Sequence, residues 1–238
     1  MLLNSIPQWI SDELDGVNFG DERLNTRAMT MLSDQYSKPQ ETLYGSSADE
    51  ANAKGVYRFQ SNEKVSEKEL LKSHSAASVT RAQHYSVVLG VQDTTQLDFS
   101  GQTQKQDTGP LQTKQQRGFL LHPVFLLTPE KLPLGIVDVN LWSRDDETFG
   151  KSNQRAQRPM EEKESYRWLL AYRRLAEIQG QLSNTELVSV SDAESDIYEL
   201  FLEAQTTPQG HIINQSGAQP PFRERRQKTM ALSGRSRP

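Results

Sequence analysis

The residue pattern changes character at Tyr85, and no fold built on a single periodicity accommodates both sides of the change. Before it, apolar residues recur at helical spacing. Leu24, Ala28, Met31 and Leu32 form one stripe, and Asp21 stands where an N-cap belongs. Ser47-Ala48-Asp49-Glu50 and Ser66-Glu67-Lys68-Glu69 each put Glu three residues after Ser, the capping-box pattern, and predict helices over about 48–60 and 67–83. Pro39 and Gly45 fall between helices as breakers. After Tyr85, residues 86–92 form a β-branched run, and residues 119–128 and 134–141 are strand candidates joined by a hairpin over Thr128–Pro133. Pro123 demotes the first of these towards an edge or a bulge. Residues 99–118, rich in Gln, Thr and Gly, predict a long polar loop. A helix over 160–179, with Trp168 and Tyr172 in its core face, precedes a strand at 187–191 and a helix near 194–204. His211-Ile212-Ile213 opens a further strand.

The chain therefore predicts an α+β protein: a helical region over 1–83, then an α/β region over 84–213 in the order β-β-β-α-β-α with a truncated last strand. Three strands, a helix and another strand is the order of an RNase H-like fold, here incomplete, in which the ends of the first and fourth strands lie side by side. Residues 214–238 hold six Lys+Arg and one acid and have no periodicity, which predicts a disordered basic tail. A shift of reading frame near Ile213 accounts for that composition, and a natively short chain with a basic end is the alternative. Arg223, Arg225, Arg226 and Lys228 of the tail have the look of a nucleic-acid arm.

Composition excludes several classes. The 238 residues include no Cys, so disulfides and thiolate metal sites are absent and a reducing, cytoplasmic location is expected. No signal peptide is visible, and no apolar run approaches the ~18 residues that span a bilayer. The four histidines have no zinc spacing. The net charge of −4 divides into +5 on residues 214–238 and −9 on the rest, so any DNA contact in the body must come from a local basic face.

Two aspartates carry the chemistry. Asp93 closes the run Val87–Gln92, and Asp192 closes Leu187–Ser191. A carboxylate at a strand end has a fixed backbone and a tip in open space, and two brought together can hold a hard divalent ion for phosphoryl transfer. A lone strand-end Asp is more often a turn or cap residue, so the pair rather than either member points to metal. Arg23 and Arg27, at i and i+4, share a helix face and suit either solvent or DNA phosphates and guanine edges.

Motifs around these residues resemble the DDE transposases of the insertion-sequence-four family, the group that includes the transposon-five transposase. Gln92-Asp93-Thr94-Thr95-Gln96-Leu97 is similar to their first-acid motif and Ser191-Asp192-Ala193-Glu194-Ser195-Asp196-Ile197 to their second. Glu162-Lys163-Glu164-Ser165 with Trp168-Leu169 resembles a segment between them. Gly20-Asp21-Glu22-Arg23-Leu24 and Gly55-Val56-Tyr57-Arg58-Phe59 resemble their N-terminal DNA-binding domain, and the resemblance covers about residues 9–213.

The resemblance implies a cut-and-paste transposase that acts on double-stranded transposon ends as a homodimer in a synaptic complex. It implies Mg²⁺ (or Mn²⁺), catalytic and metal-binding roles for Asp93 and Asp192, and end-binding roles for Arg23, Arg27 and Arg58. The family's third acid lies in a Tyr-x2-Arg-x3-Glu-x6-Lys signature. None of the seven tyrosines has Arg three residues later, so no third catalytic Glu is found and the chain reads as an N-terminal portion of such an enzyme, catalytically incomplete. Two further readings stay open: a non-catalytic competitor for transposon ends, and an RNase H-like nuclease with a substitute third acid such as Asp138.

Overall fold

Helix α2 (Glu22–Ser37) begins where the sequence expects it: Gly20 has a positive φ of 71°, Asp21 is extended, and the Asp21 carboxylate accepts the Arg23 backbone N–H. The computed structural model describes residues 6–102, 107–147, 149–150 and 158–206, together with the backbone of 211–214. The 214–238 tail and its basic cluster, apart from the backbone of Asn214, lie outside the described residues. The apolar stripe of α2 packs on α1 (Gln8–Glu13) and α3 (Glu50–Gln60), with Ile10, Phe19, Ala28, Met31, Val56 and Phe59 at the centre of one core. Ser47 does not cap α3. The extended Asp49 does, accepting the Asn52 N–H, because an Asp one position from the first turn displaces a Ser three away; the Ser47 hydroxyl is buried instead. Ser66 caps α4 (Glu67–Ala82) as expected, through the Lys68 N–H.

Helix α4 belongs to two cores. Its Leu70 packs against the α1–α3 cluster, while Val79 and Ala82 enter the core of the sheet. Small buried residues, Ser73, Ser75 and Ser78, let it lie close to the strands.

Among the described residues the sheet has seven strands. Strand β1 (Val87–Gln92) pairs parallel with β6 (Glu186–Ser191), which pairs parallel with β7 (His211–Asn214). On its other side β1 pairs antiparallel with β4 (Arg117–Leu127), and β4 pairs antiparallel with β5 (Pro133–Trp142). These strands thus run β5-β4-β1-β6-β7. Two short strands fall within or beside the expected polar loop: β2 (Thr95–Asp98) and β3 (Gly109–Pro110) both pair with β4. Strand β2 is mostly exposed, so it is held by backbone pairing and has no apolar alternation to announce it.

Strand β4 is central rather than an edge, so of the two readings of Pro123 it is the bulge that the structure bears out. The missing N–H is tolerated because Pro123 falls between the segments of β4 paired by β1 and by β2, next to a register shift at Val124/Phe125. The hairpin over 128–133 is present, with Lys131 at a φ of 70°.

Alternate residues of β1 and β4 face one core, made by Val88, Val124, Leu126, Leu134, Val137 and Leu187 against Ala171, Leu175 and Ile178 of α5 (Tyr166–Gln179). Gly90 allows that approach, since a Cβ there would lie 2.6 Å from Leu175 Cδ2. The predicted helix over 160–179 divides into a 3₁₀ turn at Met160–Glu162 and α5; the helix near 194–204 divides into a 3₁₀ turn at Ala193–Ser195 and α6 (Tyr198–Thr206). Trp168 and Tyr172 are buried as expected, with Leu169 and Leu200, between α5 and α6.

Candidate functional site

Asp93 and Asp192 come together by strand register. Every β1–β6 pair differs by 99 in residue number, from Val87↔Glu186 to Val91↔Val190, and 192 − 93 is also 99. Two steps beyond the last ladder pair, the same register extended sets the two aspartates opposite each other on neighbouring strands, whose spacing is about 4.8 Å. The Asp93 Oδ1 accepts the Thr94 N–H at 2.6 Å, and the Asp192 Oδ1 accepts the Glu194 N–H at 2.9 Å, starting the 3₁₀ turn. Ser195, fully buried, donates to the Asp192 carbonyl and accepts from Ser191, which fixes that turn.

Each carboxylate thus spends one oxygen on its own turn, and its Oδ2 has no hydrogen-bond partner among the described residues. Two such oxygens suit Mg²⁺, which binds through one or two carboxylates and completes its shell with water and phosphate oxygens. The described residues contain no group of three His, Cys, Asp or Glu side chains able to hold a metal. Asp138 does not fill the gap. It pairs with Val124 of β4, and Val124 pairs in turn with Gln92 of β1, which puts Asp138 two strands away from β1, outside any three-acid group. Burial raises the Asp138 pKa above the usual carboxylate range.

A buried polar chain adjoins the acid pair. Arg167 of α5 donates Nε–H to Thr94 Oγ1 at 2.7 Å, Nη1–H to the Glu164 carbonyl at 2.8 Å and Nη2–H to the Glu194 carboxylate at 2.8 Å. Its guanidinium lies 5.2 Å from the Trp168 ring centroid and 5.8 Å from that of Trp142. Burial lowers the Arg167 pKa, and Glu194, Glu164 and Asp192 pull it back.

Thr94 Oγ1 is 2.9 Å from His122 Nδ1, His122 Nε2 is 3.2 Å from Gln92 Oε1, and Gln92 Nε2 donates to Ser189 Oγ at 3.0 Å. Because Gln92 gives its N–H to Ser189, its carbonyl must accept from His122 Nε2, so Nδ1 is the unprotonated nitrogen and accepts from Thr94. Burial, then the charge of Arg167, pushes His122 down to about 4, in keeping with a neutral ring. Alongside, Glu164 holds Arg144 through two hydrogen bonds of 2.5 and 2.8 Å, and the partnership raises the Arg144 pKa.

Sequence reading reached the aspartates but not Gln92, His122, Ser189 or Arg167. A signal for two of these exists: Gln92 shares strand parity with Val88 and Gly90, and His122 with Leu120 and Val124, so each is a polar residue on a buried face.

The arginines of the helical region have a different setting. The Arg23 side chain is 91% exposed and makes a two-pronged pair with Asp21, through bonds of 3.1 and 2.8 Å. That pair holds the Asp21 carboxyl down to about 2. Arg27 donates to Asn52 Oδ1 at 2.9 Å and lies over Gly55, where any Cβ would come within 2.7 Å of its guanidinium carbon. Arg23, Thr26, Arg27, Thr30 and Asn52 line a shallow pocket of about 300 Å³ with Glu22. Arg58 is exposed in the last turn of α3, next to Tyr57, which stacks on Tyr44 at 3.9 Å.

A closed three-helix core that displays arginines, amides and hydroxyls to solvent is the form of a helical nucleic-acid-contacting module. Residues 6–65 match the family model described as transposase DNA-binding, a span that takes in α1, α2 and α3 and stops before α4. This end of the chain is thus similar to a transposase DNA-binding region, and a mixed α/β sheet follows it. No helix among the described residues is long and apolar enough to cross a membrane.

Proposed function

We propose that the chain is a transposon-end-binding protein of the insertion-sequence-four, transposon-five type. In this reading Arg23, Arg27 and Arg58 contact the DNA end, and Asp93 and Asp192 are two of the three acids of a DDE site that takes Mg²⁺ or Mn²⁺. The observation that carries it is the transposase DNA-binding match over residues 6–65, on the surface where those arginines stand. The parallel β1–β6 register, which sets Asp93 against Asp192, and the β5-β4-β1-β6-β7 order support an RNase H-like origin for the sheet. With no three-acid cluster among the described residues, the expected activity is end binding without strand cleavage. The binding form is a homodimer on paired ends in the cytoplasm, and such a chain competes with a complete transposase for those ends. The nuclease reading through Asp138 has no geometric support, given its place two strands from β1.

A fluorescence-anisotropy titration tests the proposal, with duplexes taken from the sequences that flank the gene and scrambled duplexes as reference. Tight binding to one flanking sequence, weakened by Arg58→Ala, is the expected result. Equal affinity for scrambled DNA at physiological salt would remove the end-binding function. Mg²⁺-dependent nicking that is lost in Asp93→Asn would instead establish a complete site.

A further inference from the structure

Arg167 stands where a helix least favours a cation. It is the second residue of α5, in the first turn, where the helix macrodipole repels positive charge, and its side chain is only 10% exposed. Helix stability does not explain the position; its contacts do. One guanidinium reaches Thr94, in the segment that follows β1, and Glu194, in the segment that follows β6. Thr94 adjoins Asp93, and Glu194 is two residues from Asp192 and accepts nothing else from α5. The planar fork donates in two directions at a fixed angle, which an ammonium cannot reproduce. Thr94 Oγ1, having accepted from Arg167, turns its own proton to His122 Nδ1, and the donation continues in the same sense through Gln92 to Ser189.

We propose that Arg167 is a positioning residue that clamps the Asp93 turn to the Asp192 turn and, through Thr94, imposes the Nε2–H tautomer on His122. The part played by the clamp in cation binding rests on the reading of Asp93 and Asp192 as metal-holding acids. Groups that orient metal ligands from behind typically change metal affinity 10- to 100-fold when altered.

The test compares the full chain with Arg167→Lys and with Arg173→Lys. The first substitution keeps the charge but removes the two-way fork. Arg173 is on the same helix and pairs with Glu203 through bonds of 2.6 and 2.7 Å, away from the acids, so it reports the loss of a comparable ion pair. Two quantities are read: Mn²⁺ affinity by calorimetry, and the His122 tautomer by long-range proton–nitrogen NMR. The expected result is that Arg167→Lys weakens Mn²⁺ binding about 10-fold and turns a single Nε2–H pattern into an averaged one, while Arg173→Lys changes neither. An Arg167→Lys chain with wild-type affinity and tautomer overturns the proposal, and so does an equal loss in Arg173→Lys. Asp93→Asn separates the two readings. If it binds Mn²⁺ as well as the wild type does, the acid-pair reading fails, and the His122 spectrum decides the clamp: averaged supports it, unchanged sinks it.

Discussion

Arg23 and Arg58 of the helical region do work opposite to that of the bonded arginines of the sheet region. In the helical region Arg23 and Arg58 are exposed, and among the described residues Arg23 pairs with its neighbour Asp21. In the sheet region Arg144, Arg167, Arg173 and Arg174 bond to groups distant in sequence: Glu164, Thr94 and Glu194, Glu203, and Ser75. The first kind of cation is available to a phosphate at little structural expense. The second kind is part of the fold, and a nucleic acid would have to displace its partner first. A count of Lys and Arg along the chain cannot separate the two, because the difference lies in what the fold brings opposite each side chain.

The sharpest way to break this comparison is Arg167→Met. If the cation is structural, urea unfolding should show a loss of about 1–3 kcal/mol, the effect of leaving buried hydrogen-bonding groups without their partner. A loss below about 0.5 kcal/mol would place Arg167 with the solvated arginines. Gly90→Ala asks whether the sheet side is as tightly packed as its hydrogen bonds imply. The new methyl meets Leu175, so a destabilisation of about 1–3 kcal/mol is expected by the same method. A neutral result would mean that Leu175 moves aside.

The third probe is pH. The folded-state pKa of His122 is depressed to about 4, below the 6.5 of an unconstrained ring, so between those values the unfolded chain binds the proton and the folded chain does not. Stability should fall as pH drops from 6.5 towards 4, and His122→Asn should flatten that slope in unfolding curves measured across the window. The smallest structural effect is expected for Arg58→Ala: unfolding within about 0.5 kcal/mol of wild type, but weaker DNA binding with a salt slope lowered by about 1. Unchanged anisotropy titrations would take Arg58 out of the interface.

The strand-end positions of Asp93 and Asp192 were legible from two apolar runs that each end in Asp, and their neighbouring strands from the order of three strands, a helix and a strand. The helices were legible from stripes and caps, although Asp49 took the role that the capping pattern gave to Ser47. What stayed hidden depends on pairing at a distance. Strands β2 and β3 exist because β4 is long enough to extend beyond its main partners, and nothing in Thr95–Asp98 itself encodes that. Arg167 was hidden for the same reason. Its neighbours in α5 read as an ordinary amphipathic helix, and its partners lie 73 and 27 residues away.

Helix α4 joins the two regions as a spindle. Leu70 is seated in one core and Val79 in the other, with no hinge between them, so the helical surface that carries Arg23 and the strand ends that carry the two aspartates are held apart by a helical length. That makes the chain a ruler as well as a clasp. One residue inserted between Leu70 and Val79 would advance the far end by about 1.5 Å and turn it by about 100°. Both cores could fold after such a change only by giving up their shared alignment.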